Sequence, residues 1–372
     1  LNGLLSKITF WKTIGGILII LGLYASVVRF GSGLGAATAL NDRVPWGLWI
    51  GFDVLCGVAL AAGGFLIAAT VHIFHIDKYK PILRPTILTA FLGYLLVCFA
   101  LLYDLGRFYN IWHPLIMWNP HSAMFEVAWC VMLYTIVLSL EFSPIVFEKL
   151  KWQRALNIMK SLSILVIIMG VILSTLHQSS LGTLFVIAPG KLHPLWYSPF
   201  LPLFFFISAI GVGLAMTILE SFLSYRFFRK ELEMELLVGL GRVIVVVMAV
   251  YLVVRLFDLI NREAIPYLFK YETEALLFWI ETLLGGIAPM LLLAVKKIRL
   301  NRKGLFVSAF LVILGLILNI LNVAITGFES FSGVHYFPSF EEISISIFMV
   351  TMGFIVFAVA TKYLPIFTQN EH

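Results

Sequence analysis

Charge is what this chain of 372 residues has least of: Asp, Glu, Lys and Arg make up 12% of it, where a soluble globular domain carries about a quarter. A water-soluble fold of this size cannot hide a sequence that is 61% hydrophobic, so that class is excluded. Paired cysteines are missing too. Cys56, Cys98 and Cys130 each sit inside an apolar block, and no CxxC occurs. The chain therefore offers no ligand set for an iron–sulfur cluster, a structural zinc or a c-type haem, and these cysteines read as small buried hydrophobes. A phosphate-binding loop is absent as well, because the glycines of CGVALAAGGF follow no strand and precede no lysine. That run offers instead a narrow face for close helix approach.

What is present is a series of long apolar blocks with charges at their edges. A bilayer core needs about 20 apolar residues per helix. Ten such helices are expected, over 10–30, 46–74, 85–107, 122–147, 157–180, 199–224, 239–260, 275–296, 304–325 and 341–364. This describes an all-α polytopic membrane protein, one membrane domain over 1–372 with the lipid bilayer as its solvent. The first block is too long for a cleavable signal peptide and reads as a true span. The formal charge of +6 does not point to nucleic acid. In a ten-span topology, nineteen of the 26 basic residues fall on the face carrying both termini, among them Lys7, Lys78, Arg84, Lys149, Lys151, Lys230, Lys296 and Lys303. The opposite face holds Arg29, Arg43, Arg107, Lys191, Arg255, Arg262 and Lys270. The excess of positive charge on the inner side puts both termini in the cytoplasm.

The connections on the outer face are rich in Trp, His and Pro: NDRVPWGLW, NIWHPLIMWNPHS, APGKLHPLWYSP and SGVHYFPSF. An interfacial aromatic belt accounts for Trp46, Trp49, Trp118 and Trp196; the histidines need more than a belt. Ionisable groups also lie within the blocks: Asp53, Asp104, Glu126, Glu141, Asp258 and Glu281, with His177 and Arg255. A charge at bilayer depth costs roughly 2.5–3.5 kcal/mol on insertion scales and marks function by default. The plainer alternative is a helix-end group paired with a neighbour or reaching interfacial water.

Several of these groups share one depth. Asp53 is expected two turns into helix 2, Asp104 and Arg107 at the end of helix 3, Glu126 more than a turn inside helix 4, and His177 with Gln178 where helix 5 leaves the membrane. Trp46, Trp49, His121 and His193 flank them. Quinone reduction takes two electrons and two protons, so its carbonyl oxygens want hydrogen-bond donors and a carboxylate or imidazole to relay protons. Glu126, Asp104 and His177 are the expected proton handlers. Trp46, Trp49, Asp53, Arg107, His121, Gln178 and His193 are the expected quinone contacts. Glu141 follows Glu126 by fifteen residues on the same helix, about 22 Å by helical rise, and is the candidate for an inward proton path that water or other polar groups must bridge.

A short internal repeat is also legible. LLYDLGRF of helix 3 resembles VVRLFDLI of helix 7, and MFEVAWC of helix 4 resembles FWIETLL of helix 8. This suggests two parallel four-helix units, 46–180 and 199–325, with helices 1 and 10 flanking them. Only the first unit has His-rich outer segments on both sides, so the quinone is expected there.

Longer motifs carry a family resemblance. VPWGLWIGFDVLCGVALAAGG looks like the second-helix signature of the NrfD/PsrC superfamily. YDLGRFYN, FEVAWC, LEFSP, LHQSSLGTLF, HPLW, FWIE and YFPSFEE resemble its HybB-type branch, and together they run from about Gly31 to Pro365. The resemblance implies a ten-helix subunit without haem in a bacterial or archaeal cytoplasmic membrane, one that is not catalytic alone. It implies menaquinone or ubiquinone near the periplasmic face, a periplasmic ferredoxin-like 4Fe-4S subunit as partner, and further catalytic or cytochrome subunits. On this reading the family's intramembrane glutamate is Glu126, and its DxGR and HQSS motifs supply Asp104, Arg107, His177 and Gln178. His121 departs from the asparagine of hydrogenase-linked members, which leaves the branch open among hydrogenase, high-molecular-weight cytochrome and sulfite-reduction-linked complexes. Two rivals remain. A b-type cytochrome needs two histidines facing each other at one depth. A secondary transporter needs paired interrupted helices at mid-membrane, and the sequence shows no such pair.

Overall fold

The computed structural model describes residues 10–229 and 231–367; Lys7, Lys230 and His372 lie outside the described residues. Among the described residues, ten helices are long and apolar enough to cross a membrane: α1 (Lys12–Ser32), α2 (Trp49–His72), α3 (Asp77–Asp104), α4 (Ala123–Leu150), α5 (Gln153–Val186), α6 (Leu201–Phe228), α7 (Met234–Asn261), α8 (Thr273–Ala294), α9 (Arg302–Ser332) and α10 (Phe340–Tyr363). Helices are the expected form, because hydrocarbon offers no hydrogen bonds and each span must satisfy its own backbone. Their ends are set by local chemistry. Ser122 caps α4, its Oγ accepting from the Phe125 N–H at 3.4 Å. Asn301 caps α9 through the Lys303 and Gly304 amides. Ser339 and Glu342 close a capping box at the start of α10.

The helices form two rings of four with a flanking pair. α2, α3, α4 and α5 pack in one cyclic order and α6, α7, α8 and α9 in another; α6 lies against α2 and α5, and α9 against α2. α1 pairs with α10, and α10 also touches α2 and α3. The central spans α2 and α6 are the most buried, whereas α1, α5 and α10 expose most of their length. The crossing of α8 on α9 needs two glycines, since a Cβ at Gly285 would collide with the backbone of Gly315.

Two features correct the sequence reading. The first is helix length. α3 stops at Asp104 because Leu105 turns extended, so Arg107 is no longer on the helix, while α5 runs on to Val186, nine residues past His177. The second is regularity. π-helical segments interrupt α2 at Trp49–Cys56, α8 at Glu281–Ile287 and α9 at Asn322–Thr326, and α2 also breaks at Ala61 and Ala62. Interrupted spans are therefore present. They do not occupy matching positions in the two rings, as a transporter built from repeats would require.

Candidate functional site

Two further pairs of stretches can be set side by side on the expected repeat. GVALA (57–61, α2) and GVGLA (211–215, α6) share four of five residues, whereas LHQSSLG (176–182, α5) and LNVAITG (321–327, α9) share only the first Leu and the last Gly. This pairs Asp104 with Asp258, Glu126 with Glu281, and His177 with Asn322. The acids of the two rings can then be compared, although Glu126 lies three residues into α4 and Glu281 eight into α8.

In the second ring the carboxylates are locked. Glu281 is 3% exposed. It pairs with the Arg255 guanidinium and accepts from Trp196 Nε1 at 3.2 Å, Asn319 Nδ2 at 3.0 Å and Asn322 Nδ2 at 2.6 Å. Arg255 also lies 4.3 Å over the Phe278 ring and donates to Tyr251 Oη. Asp258 takes two bonds from Arg262, at 2.9 and 2.7 Å, and one from Ser198 Oγ at 2.8 Å. His193 belongs here and not in the first ring. It is 7% exposed, its Nδ1 accepts from the Leu195 N–H at 3.3 Å, and its ring packs on Trp196 and Tyr267. Burial pushes this imidazole below its usual range, against the pull of Glu274 and Glu272, so it is neutral at pH 7. The expectation that it lines a first-ring site is corrected: its connection folds down onto α6–α9, and its backbone N–H bonds to Gly327 O.

The first ring leaves the equivalent groups unlocked. Three residues before Asp258 stands Arg255; three before Asp104 stands Leu101. Glu126 thus has no arginine beneath it. Its placement is corrected too: it lies in the first turn of α4 and is exposed, because Ser122 starts the helix four residues earlier. A carboxylate there suits the positive end of the helix dipole. One turn further in, Cys130 meets Ser180 of α5. Among the described residues, no hydrogen bond or ion pair joins the Glu126 side chain to another group.

Asp53, Trp49 and Asp104 come together at the end of the ring opposite the termini, with partners the sequence reading missed. Asp53 Oδ2 accepts from Ser346 Oγ of α10 at 2.5 Å. Trp49 Nε1 donates to the Glu342 carbonyl at 3.2 Å, and its ring meets Tyr103. The cation facing Asp104 is Arg29 of α1, not Arg107, which is exposed beyond the helix end. Arg29 is 1% exposed and caps α3 by donating to the carbonyls of Tyr103 and Leu105 at 2.6 and 2.7 Å. Glu342 is 0% exposed and ties the α1–α2 connection to α10. Its Oε2 accepts from the Ala39 and Ser339 amides, both at 2.9 Å, and its Oε1 from Tyr336 Oη at 2.5 Å. Tyr336 Oη in turn accepts from the Leu48 N–H at 2.9 Å. Burial and its bond to the Glu342 carboxylate push the Tyr336 phenol well above its usual range, so it remains a donor. The S-x-x-E cap signal in PSFEE could have exposed Glu342; nothing in the sequence announced Arg29.

The remaining expected residues are dispersed. Trp46 packs edge-on against Phe185 and Phe328. His121 is exposed in the α3–α4 connection. His177 and Gln178 do not leave the membrane with α5 but lie within it, 0% and 1% exposed. His177 Nδ1 pairs with Tyr94 Oη at 2.9 Å, and Gln178 Nε2 donates to Val58 O at 3.0 Å. Below them is a column of buried polar atoms without partners: His177 Nε2, Gln178 Oε1, Tyr134 Oη, Ser174 Oγ and Glu141 Oε1. Tyr134 stacks edge-on against Tyr94, and Glu141 is its electrostatic neighbour. Glu220 of α6 is similar, bonded to Ser224 through Oε1 with Oε2 unpartnered, beside a small cavity lined by Thr86, Thr89 and Thr217.

Comparisons with known proteins agree with this architecture. Residues 36–331 match the family model described as Polysulphide reductase, NrfD. A protein of Nitratidesulfovibrio vulgaris is 39% identical over 98% of this chain and 96% of its own length. The probable Ni/Fe-hydrogenase 2 b-type cytochrome subunit of Escherichia coli is 36% identical, covering 96% of this chain and 93% of that one. The menaquinone reductase integral membrane subunit of Nitratidesulfovibrio vulgaris is 28% identical over 98% and 93%. The family match covers most of the chain and two relatives exceed 30% identity along nearly their whole length, so this ten-span protein belongs to the NrfD family.

Proposed function

We propose that the protein is the quinone-handling membrane subunit of a respiratory oxidoreductase complex. It exchanges electrons between the quinone pool and an iron–sulfur subunit docked on the face opposite the termini, in a prokaryotic cytoplasmic membrane with both termini inside. The observation that carries this reading is the contrast between Glu126 and Glu281: the acid in the first turn of α4 is exposed and unpaired, while the acid two turns into α8 is buried and held by four donors. A relative named as a menaquinone reductase subunit supports the substrate class.

The chemistry asked of the chain is modest. A quinone taking two electrons from the partner must take two protons, and a quinol giving up electrons must release them. Glu126 stands at the rim of the first ring, where a headgroup arriving from the lipid can reach it, and it exchanges protons with the quinone oxygen. Asp53, held by Ser346, and Asp104, in the field of Arg29, are two further acids. Glu342 and Tyr336 hold Leu48 and Trp49 in place as positioning residues. The unpartnered column from His177 to Glu141 is polar and enclosed, the setting in which buried water is retained. Such water supplies the bridge between the rim and Glu141, with Glu220 as a second acid on the inner side.

Haem does not suit these residues, even though one relative is named a b-type cytochrome subunit. His177 is engaged by Tyr94 in a packed interior, and the other described histidines lie at helix ends or in connections, so none faces it at its depth. The test of the quinone reading is Glu126→Gln in the assembled complex. Quinone turnover falls by about 10²-fold or more while subunit assembly is unchanged; wild-type turnover in an assembled variant removes Glu126 from the chemistry.

A further inference from the structure

We propose that the connection between α8 and α9 is a binding site for the phosphate headgroup of an anionic phospholipid in the leaflet on the side of the termini. The segment Lys296-Lys297-Ile298-Arg299-Leu300-Asn301-Arg302-Lys303 carries five cations in eight residues and no acid. It is built, not loose. α8 ends at Ala294, Val295 turns extended, a single helical turn covers Lys296–Arg299, and Asn301 caps α9. Arg299 is consumed internally, its Nη1 donating to the Leu293 carbonyl at 2.5 Å. Arg302 is fixed by Tyr225 of α6, at 3.2 Å to the hydroxyl and 5.3 Å over the ring. Lys296, Lys297, Arg302 and Lys303 face outward, exposed, and among the described residues none of them forms an ion pair. The nearby acids Glu231, Glu233 and Glu235, at the start of α7, do not pair with them either.

The topology rule accounts for cations on this face but not for what lies among them. Val295 and Leu300 are 49% and 54% exposed and alternate with the four free cations. Apolar side chains between unpaired cations at the end of a span fit the border of a bilayer: the aliphatic groups enter acyl chains while the cations reach phosphate. A soluble phosphate or an acidic polypeptide would leave Val295 and Leu300 in water. The equivalent link of the first ring is different. It has exposed apolar side chains as well, Leu150 and Trp152, but only three cations without an ion pair, Lys149, Lys151 and Arg154, and it contains an acid, Glu148, which pairs with Arg84 at 2.8 Å.

The test uses the full chain purified in detergent, with lipid retention read by native mass spectrometry. Tetraoleoyl diphosphatidylglycerol is titrated against phosphatidylcholine, with inorganic phosphate and polyglutamate as soluble competitors. One diphosphatidylglycerol is retained per chain, at least about 10-fold more tightly than phosphatidylcholine, and the competitors do not displace it. Lys296→Gln/Lys297→Gln weakens retention by about 30-fold, and adding Arg302→Gln/Lys303→Gln abolishes it, from roughly 1 kcal/mol per surface cation. Lys296→Arg/Lys297→Arg retains the lipid, and Lys149→Gln/Lys151→Gln in the other link leaves retention unchanged. The double Gln variant keeps the Arg302–Tyr225 bond, so the result survives a quadruple variant that does not fold. Equal loss in the first-ring variant, unchanged retention in the second-ring variants, or displacement by either soluble competitor overturns the proposal.

Discussion

The two rings of this protein are one scaffold used in opposite ways. Glu281, two turns into α8, is held by Arg255, Asn319, Asn322 and Trp196, while Glu126, in the first turn of α4, stands exposed at the rim without a cation. The change that separates them is small: Leu101 where the second ring has Arg255, Ser174 where it has Asn319, and His177 where it has Asn322. A buried ion pair is a strut, because removing either partner strands a charge in low dielectric at a cost of about 3–5 kcal/mol. A carboxylate without such a partner can change its protonation state. The comparison teaches that locking one site and opening the other needs no new fold, only the withdrawal of the donors.

The comparison can be broken in order of expected effect. Glu126→Gln removes the open acid and lowers quinone turnover by about 10²-fold or more, with little change in the thermal stability of the purified complex. Arg255→Met does the reverse. It strands Glu281, destabilises the chain by about 3–5 kcal/mol in detergent unfolding, and leaves turnover per folded complex near wild type. Adding Glu281→Gln to Arg255→Met recovers most of that loss, since the uncompensated charge is gone. Tyr336→Phe deletes one bond to Glu342 and costs about 1 kcal/mol; if Glu342 positions Trp49, this variant raises KM for quinol more than it lowers kcat. The smallest effect belongs to His193. Its folded pKa lies below its unfolded one, so the unfolded chain binds the extra proton as pH falls below about 6.5, and stability declines there. His193→Gln flattens that acid limb in a pH series of unfolding temperatures; an unchanged limb assigns it to other groups.

The spans were legible because twenty-odd apolar residues in a row admit one physical solution. The site was legible only in part. The groups around Asp53, Trp49 and Asp104 were not legible, because Arg29, Ser346 and Glu342 come from α1 and α10, where no local pattern links them to α2 and α3. Arg107 and Glu126 were misplaced for a nearer reason. The ends of α3 and α4 depend on Leu105 and on the Ser122 cap, and hydropathy alone does not resolve a single turn. The π-helical segments of α2, α8 and α9 were not expected from hydropathy, although each carries a polar residue within an apolar span, Asp53, Glu281 and Asn322.

The open first ring is tested most directly by asking where a quinone binds. A photoactivatable azido-menaquinone, irradiated in the assembled complex and mapped by peptide mass spectrometry, should label the rim of the first ring: residues 112–130, or the ends of α1, α2 and α10 around Asp53 and Glu342. Competition by excess unmodified menaquinone should remove that label. Specific labelling confined to α6–α9 around Glu281, with the first ring untouched, would contradict the assignment of the open carboxylate to quinone chemistry.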